Sequence, residues 1–339
     1  EIRNCDWSSD VCSSDLHCRK TLIESSAPMP LTQPIQPPNF LAGPYIDRRA
    51  EWREQHDWHE HARRDPQTRF VLARGTAQLV AGDRPAIVFA DANHPLVQRA
   101  TLESLVLLGW YREAPCVLLQ LDEEDSTALI AASEHADARF EELRPLAPQL
   151  EASEAGLLAY ARALSHWQRR HRHCGVCGAR SVPTRAGHVM QCTDAACGNQ
   201  VFPRIDPAII VLVSDGERAL LGRQASWPAG RYSTIAGFVE PGESLEDAVA
   251  REVLEETSVV VRESRYHSSQ PWPFPSSLML GFEATAVPGS IARAGSELED
   301  ARWFTRDELL AGTAVLPPST SISRRLIERW LHARDRAPR

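Results

Sequence analysis

Lysine is all but missing. Of the 37 lysine and arginine residues only Lys20 is lysine, and a remainder written in arginine marks a GC-rich coding sequence. Long apolar runs are missing too: none approaches the roughly 18 residues that a membrane-spanning helix needs. An excess of positive charge is absent. The net charge of −8 argues against binding nucleic acid mainly through a basic surface, although a local basic groove stays open. The N-terminal stretch has no apolar core of a signal peptide. Without that signal, the cysteines are expected to meet a reducing cytoplasm and a metal rather than to form disulfides.

What is there begins with a foreign-looking leader. DWSSDVCSSDL (6–16) has no apolar periodicity and matches one reading frame of a common sequencing adapter. Met29, the first methionine, lies just beyond the first 28 residues, and Lys20 lies within them. Residues 1–28 are therefore expected to be non-native. The rest is too long for one ordinary core and suggests several domains, with 43% hydrophobic and 24% charged residues as in soluble globular proteins. Short β-like runs, FVLAR (70–74), AIVFA (86–90), LVLLGW (105–110) and CVLLQL (116–121), predict a first β-rich region. Leu157, Tyr160, Ala161, Leu164 and Trp167 recur at helical spacing before the basic run RRHRH (169–173). A second region opens on AIIVLVS (208–214), a β-branched run suited to a buried strand, and ends in a helix around 323–331. Strands interleaved with helices predict an α/β fold, with boundaries expected at 29–168, 169–204 and 205–339.

Four cysteines stand apart. Cys174 and Cys177, then Cys192 and Cys197, form two short-spaced pairs, with Gly175, Gly178 and Gly198 available for tight turns. Four thiolates suit a tetrahedral, structural Zn2+ with no open position. His188 is a possible substitute ligand. Cys116, inside an apolar run, reads as a buried thiol.

EVLEETS (252–258) places Glu252, Glu255 and Glu256 on one helical turn or so. A helix capped at Ser244, with Asp247 as partner, would carry Leu245, Ala248 and Val249 inward, and Glu252 and Glu256 continue that stripe. Glutamates in such a cluster usually mark a solvated face; here their position points inward. Arg251 cannot answer three carboxylates, whereas a divalent cation with hard oxygen ligands can.

GFVEPGESLEDAVAREVLEETS (237–258) reads as G-x5-E-x7-R-E-U-x-E-E-x-S, where U is apolar. It resembles the Nudix box at Gly237, Glu243, Arg251, Glu252, Glu255 and Glu256, and departs from it at Ser258, where the family has glycine. The resemblance implies an α/β/α sandwich that hydrolyses a nucleoside diphosphate linked to another group, with Mg2+ or Mn2+. It assigns Glu252 and Glu256 as metal ligands, Glu255 as a ligand or base, the Ala236 carbonyl as a further ligand, and Glu243 and Arg251 as orienting residues. A later acid completes the set: Glu297 by similarity, with Glu299 and Asp300 as competitors.

SQPWPFPSS (269–277) is stiff with proline and carries aromatic faces. As bare composition it is a connector. Downstream of a Nudix box it resembles the signature of the NADH pyrophosphatase subfamily, also described as NAD-capped RNA hydrolases, which carry a zinc ribbon, a segment like FPRIDPAII (202–210) and an upstream Nudix-like domain without the box, and which generally dimerise. The resemblance implies that Gln270, Pro271, Trp272, Pro273, Phe274, Pro275, Ser276 and Ser277 contact the dinucleotide, with Phe202 and Ser323 as further candidates. The implied reaction cuts NADH or NAD+ to nicotinamide mononucleotide and AMP; the same cut removes an NAD cap from RNA, and 169–173 could help hold RNA phosphates. Two other readings stay open: preference for another nucleoside diphosphate such as ADP-ribose, and a zinc-ribbon nucleotide sensor without turnover.

Overall fold

The computed structural model describes residues 38–131, 133, 135–286 and 297–333. The leader expected to be non-native lies outside the described residues.

Apart from single 3-10 turns, the first region comprises β1 (Ile46–Asp47), α1 (Trp58–Arg64), β2 (Arg69–Arg74), β3 (Ala77–Ala81), β4 (Ala86–Ile87), β5 (Phe89–Ala90), α2 (Pro95–Arg99), β6 (Leu105–Tyr111), β7 (Ala114–Leu121), α3 (Glu123–Ala131), β8 (Arg139–Glu142), α4 (Leu143–Leu146) and α5 (Ala152–Arg170). Its sheet runs β1-β6-β7-β2-β3-β4, with β5 on β2 and β8 on β3. Alternate residues of β2 point to opposite faces. Val71 and Ala73 pack with Leu157, Leu158 and Leu164 of α5, while Phe70 and Leu72 pack with Trp58 of α1 and Leu96 of α2. The strand expected over 86–90 is split, because Ile87 pairs with β3 and Phe89 with β2.

A small sheet follows, β11-β10-β9, from β9 (Ser181–Thr184), β10 (Val189–Cys192) and β11 (Gln200–Val201). The last region holds β12 (Asp206–Ser214), β13 (Arg218–Arg223), β14 (Ile235–Phe238), α6 (Leu245–Thr257), β15 (Val261–Trp272), β16 (Ser277–Ala286), β17 (Asp300–Thr305), α7 (Arg306–Leu310) and α8 (Ile322–Leu331). The sheet runs β15-β16-β12-β13-β17, with β14 on β12. Both faces of β12 are buried, which is why its sequence is apolar without alternation. Ile209, Val211 and Val213 meet Ala248, Val249 and Val253 of α6, and Ile210 and Leu212 meet Leu326, Ile327 and Trp330 of α8. This is the expected α/β/α sandwich.

The two large sheets repeat one topology. In each, a hairpin (β6–β7, β15–β16) joins a second hairpin (β2–β3, β12–β13) through a parallel pair, β7–β2 and β16–β12. A short strand joins each central strand (β5 on β2, β14 on β12), and an outer strand joins the second hairpin (β8 on β3, β17 on β13). The difference lies in the helix after that short strand. In the first region it is the five-residue α2, PLVQR, which buries Leu96 and Val97 and carries no acid; in the last it is the 13-residue α6.

Candidate active site

Local chemistry explains where α6 starts and stops. Ser244 Oγ accepts from Asp247 N at 3.1 Å and Asp247 Oδ2 accepts from Ser244 N at 3.4 Å, so the expected capping box is present. The helix ends at Ser258, in the left-handed region with φ 58° and ψ 17°, where Ser258 N donates to Leu254 O at 2.8 Å. A glycine there would be free of the Cβ crowding that serine bears.

The acids divide by face. Glu252 and Glu256 are buried, 8% and 6% exposed, while Glu255 is exposed. Arg251 is the hub of the cluster. Its Nε and Nη2 donate to Glu243 at 2.5 and 3.0 Å, its Nη1 to Glu252 at 2.9 Å and Glu255 at 3.1 Å, and its Nη2 also to Phe238 O at 2.9 Å. The Arg251 bonds, helped by the Glu240 N–H, hold the Glu243 carboxyl down to about 2. Glu252 is raised by burial despite Arg251. Glu256, which Arg251 does not reach, is pushed up to about 8 by burial first and then by the charges of Glu252 and Glu297. The repulsion is thus only partly answered by protein.

Gly237, on β14, is needed for close approach. A Cβ there would overlap the Glu252 carboxylate, so the strand can pass under the acid only without a side chain. Ala236 precedes it on the same strand. Of the three late acids, Glu297 shares a hydrogen bond with Glu256. Glu299 pairs with Arg223, and Asp300 accepts from Tyr232 Oη at 2.5 Å. Glu297 is therefore the one turned to the helix. Crowded, hard oxygen donors fit a divalent cation; buried Glu252 and Glu256 and exposed Glu297 are the side chains that could hold it.

The four thiols fit a different ion. Cys174 and Cys197 sulfurs lie 3.8 Å apart and those of Cys177 and Cys192 lie 3.4 Å apart. Among the described residues, these form the one cluster of potential metal ligands whose ligand atoms all lie within 4.8 Å of one another. Four sulfurs about 2.3 Å from a central Zn2+ would stand roughly 3.8 Å apart. Backbone N–H groups of Cys177 and Val176 aimed at the Cys174 sulfur lower its pKa to about 6, favouring the thiolate. His188 is not a fifth candidate: it is buried, and its Nε2 bonds Leu107 O at 2.8 Å in the first sheet. Cys116 is fully buried, its thiol pushed up to about 12.

SQPWPFPSS is the tip of the β15–β16 hairpin, not a free connector. Proline-rich composition hid its first residues, which complete β15 through Trp272, paired with Ser277. Gln270 does not offer its amide to a ligand as expected. It is 1% exposed; Nε2 donates to Phe40 O at 3.0 Å and Thr320 O at 2.8 Å, and Oε1 accepts from Ile322 N at 3.0 Å. Pro273 is buried, Pro275 is exposed, and Pro271 and Ser277 are half-buried. Ser276 Oγ donates to Asp206 Oδ2 at 2.6 Å. The Trp272 and Phe274 rings meet edge to face, centroids 5.1 Å apart. Ser323 also departs from expectation: it is 1% exposed, with its Oγ bonded to Thr234 N and to the Ser233 and Thr234 hydroxyls, which makes it part of the core. Phe202 is exposed, and so is Phe238 at the end of β14, a candidate for stacking that the sequence pattern did not single out. The basic run enters a cleft of about 940 Å3 lined by Arg99, Arg169, Arg172, His173 and Arg180 and by Glu103, Asp122, Glu124 and Asp125; Glu103 pairs with Arg180 and Asp125 with Arg99, so acids interrupt the basic lining.

Comparison with known proteins agrees with this architecture. Residues 67–167 match the NADH pyrophosphatase-like rudimentary NUDIX domain, 169–202 the NADH pyrophosphatase zinc ribbon domain, and 204–330 the NUDIX domain. The NAD-capped RNA hydrolase NudC of Pseudomonas syringae pv. syringae is 39% identical over 275 residues, covering 79% of this chain and 93% of that protein. The NAD-capped RNA hydrolase NUDT12 of Macaca fascicularis is 34% identical over 338 residues, covering 86% and 73%. The NudC of Stutzerimonas stutzeri is 43% identical over 228 residues, covering 67% and 77%. The chain belongs to the NUDIX hydrolase superfamily, in the NADH pyrophosphatase and NAD-capped RNA hydrolase branch that joins a rudimentary NUDIX domain and a zinc ribbon to the NUDIX domain.

Proposed function

We propose that the protein is a Mg2+- or Mn2+-dependent NAD(H) diphosphatase that also removes NAD caps from RNA 5′ ends. The observation that carries the reading is the inward pair Glu252 and Glu256, left short of positive charge beside Glu297. Water adds across the pyrophosphate: a new P–O bond forms, the bridging P–O bond breaks, and nicotinamide mononucleotide and AMP leave, one carrying the oxygen of water. When bound, the divalent ion supplies Lewis acidity toward the phosphoryl oxygens and lowers the pKa of water. Glu252, Glu256, Glu297 and the Ala236 carbonyl would hold it. Exposed Glu255 accepts the proton from the attacking water. Arg251 orients the acids while Glu243 anchors Arg251. Trp272, Pro273, Phe274 and Phe202 shape the dinucleotide site, and the four cysteines hold a structural Zn2+.

The division at 29–168, 169–204 and 205–339, a homodimer and a cytoplasmic setting complete the proposal. Among the described residues no helix is long and apolar enough to cross a membrane.

The test is product analysis with NADH, NAD+, ADP-ribose and NAD-capped RNA, with and without Mg2+ or Mn2+, on the wild type and Glu256→Gln. The expected result is metal-dependent release of the two mononucleotides from NADH, lost in the variant while dinucleotide binding persists. Preferential cleavage of ADP-ribose would reject the substrate assignment, and no turnover with any substrate would leave a sensor.

A further inference from the structure

We infer that Arg162, on helix α5 of the rudimentary NUDIX domain, is a positioning residue for the dinucleotide-binding hairpin. It does so by holding the backbone of Pro273 and the ring of Phe274. The inference rests on the reading of Trp272, Pro273 and Phe274 as part of the dinucleotide site.

The hairpin tip is held on its Ser276 side, where Ser276 bonds Asp206, and less so at Pro273 and Phe274, where the one backbone bond among the described residues is Phe274 N to Trp272 O at 2.7 Å. Its ladder closes at Trp272 and Ser277, and prolines at 273 and 275 remove two backbone donors from the four residues between. Arg162 supplies further contacts to Pro273 and Phe274 from outside. Its Nη1 donates to Pro273 O, its guanidinium lies 4.9 Å from the Phe274 ring centroid, and its Nε is 3.4 Å from Glu142 Oε2. The side chain is 12% exposed, an expensive place for a cation unless its geometry is used. Phe274 also packs against the core of the first sheet, and its edge-to-face contact passes that fixed position to Trp272, 6.0 Å from Arg144 of α4. The stalk is held from the same side: Asn39 Nδ2 donates to Ser268 Oγ at 3.0 Å and Ser269 O at 2.7 Å, and Phe40 O accepts from Gln270. The domain that lacks catalytic acids thus retains a task, which is to set where the aromatic faces stand.

The experiment compares Arg162→Gln, Arg162→Lys, Phe274→Leu and the double variant Arg162→Gln/Phe274→Leu in the full chain. Arg49→Gln serves as control, because Arg49 is a largely buried arginine of the same domain whose ion pairs and ring contact lie away from the hairpin. KM for NADH should rise about tenfold in Arg162→Gln with kcat nearly unchanged. Lysine should rescue only part, since it keeps the charge and loses the planar fork. The effects of Arg162→Gln and Phe274→Leu should be less than additive in the double variant, because part of what Phe274 contributes depends on Arg162. Hydrogen exchange across 270–277 should quicken in Arg162→Gln and not in Arg49→Gln. Unchanged exchange and KM, or equal effects in the control, would overturn the inference. If wild type itself leaves NADH intact, the proposed reaction fails, while the exchange comparison still decides whether Arg162 positions the hairpin. Should Arg162→Gln not fold, Arg162→Lys tests the same link by its hydrogen exchange across 270–277 against Arg49→Gln.

Discussion

At the scale of single residues, the site turns on close approach and unequal compensation of charge. Gly237 lies where a methyl group would collide with Glu252. Gly237→Ala should therefore displace that acid and reduce hydrolysis about a hundredfold, the order of loss that small misplacements bring, with unchanged circular dichroism; steady-state kinetics checks it. Glu256 sets a pH dependence. Its ordinary value is 4.5 and the fold raises it to about 8. The folded state therefore holds a proton that the unfolded chain has released, and stability without divalent ions should fall as pH rises from about 4.5 to about 8. Mg2+ or Mn2+ should reverse that penalty, so the metal-induced rise in Tm should grow with pH over this window and shrink in Glu256→Gln. Thermal scans in chelator and in metal at several pH values read this out. The preference for Glu297 over Glu299 and Asp300 was legible only by resemblance. Three acids within four positions look alike as a string; Arg223 and Tyr232, distant in sequence, take up two of them.

At the scale of elements, α6 was the most legible part of the chain. Its cap, its apolar stripe and the inward placement of Glu252 and Glu256 follow from helical spacing. The strained end at Ser258 offers a direct test. A left-handed serine costs about 1–2 kcal/mol and glycine returns part of that through chain entropy, so Ser258→Gly should stabilise the protein by roughly 0.5–1 kcal/mol. Urea unfolding monitored by fluorescence measures it, and a loss of stability would contradict the strained cap. Strand β15 was the least legible. VRESRYHSSQPW alternates poorly and ends in prolines, because its neighbour β16 on one side and the segment at Asn39 and Phe40 supply its contacts. Propensity carries little information where pairing partners decide.

At the scale of the whole molecule, one topology serves twice with different ends. In the first sheet the helix at this place is the short PLVQR, which packs without acids. The zinc ribbon joins this half through pairs such as Gln168 Nε2 to Gly187 O at 2.6 Å and His188 to Leu107 O at 2.8 Å. Removing zinc should therefore loosen more than the ribbon. The purified protein should hold about one zinc per chain, and a strong chelator or Cys192→Ser should speed hydrogen exchange first in 174–199 and then along β6. Elemental analysis and exchange mass spectrometry check both; a protein free of zinc with unaltered exchange would reject the ribbon as a metal site.

What the sequence by itself determined was the local chemistry: the helix with its inward acids, the paired thiols and the buried run of β12. Each rests on periodicity or short spacing, which a linear string carries in full. Only the tertiary structure decided which late acid meets Glu256, that Gln270 and Ser323 spend their polar groups on the protein, and that the hairpin tip leans on Arg162. Those contacts join residues tens to hundreds of positions apart, and whether a polar group is free or spent depends on who arrives beside it when the chain folds.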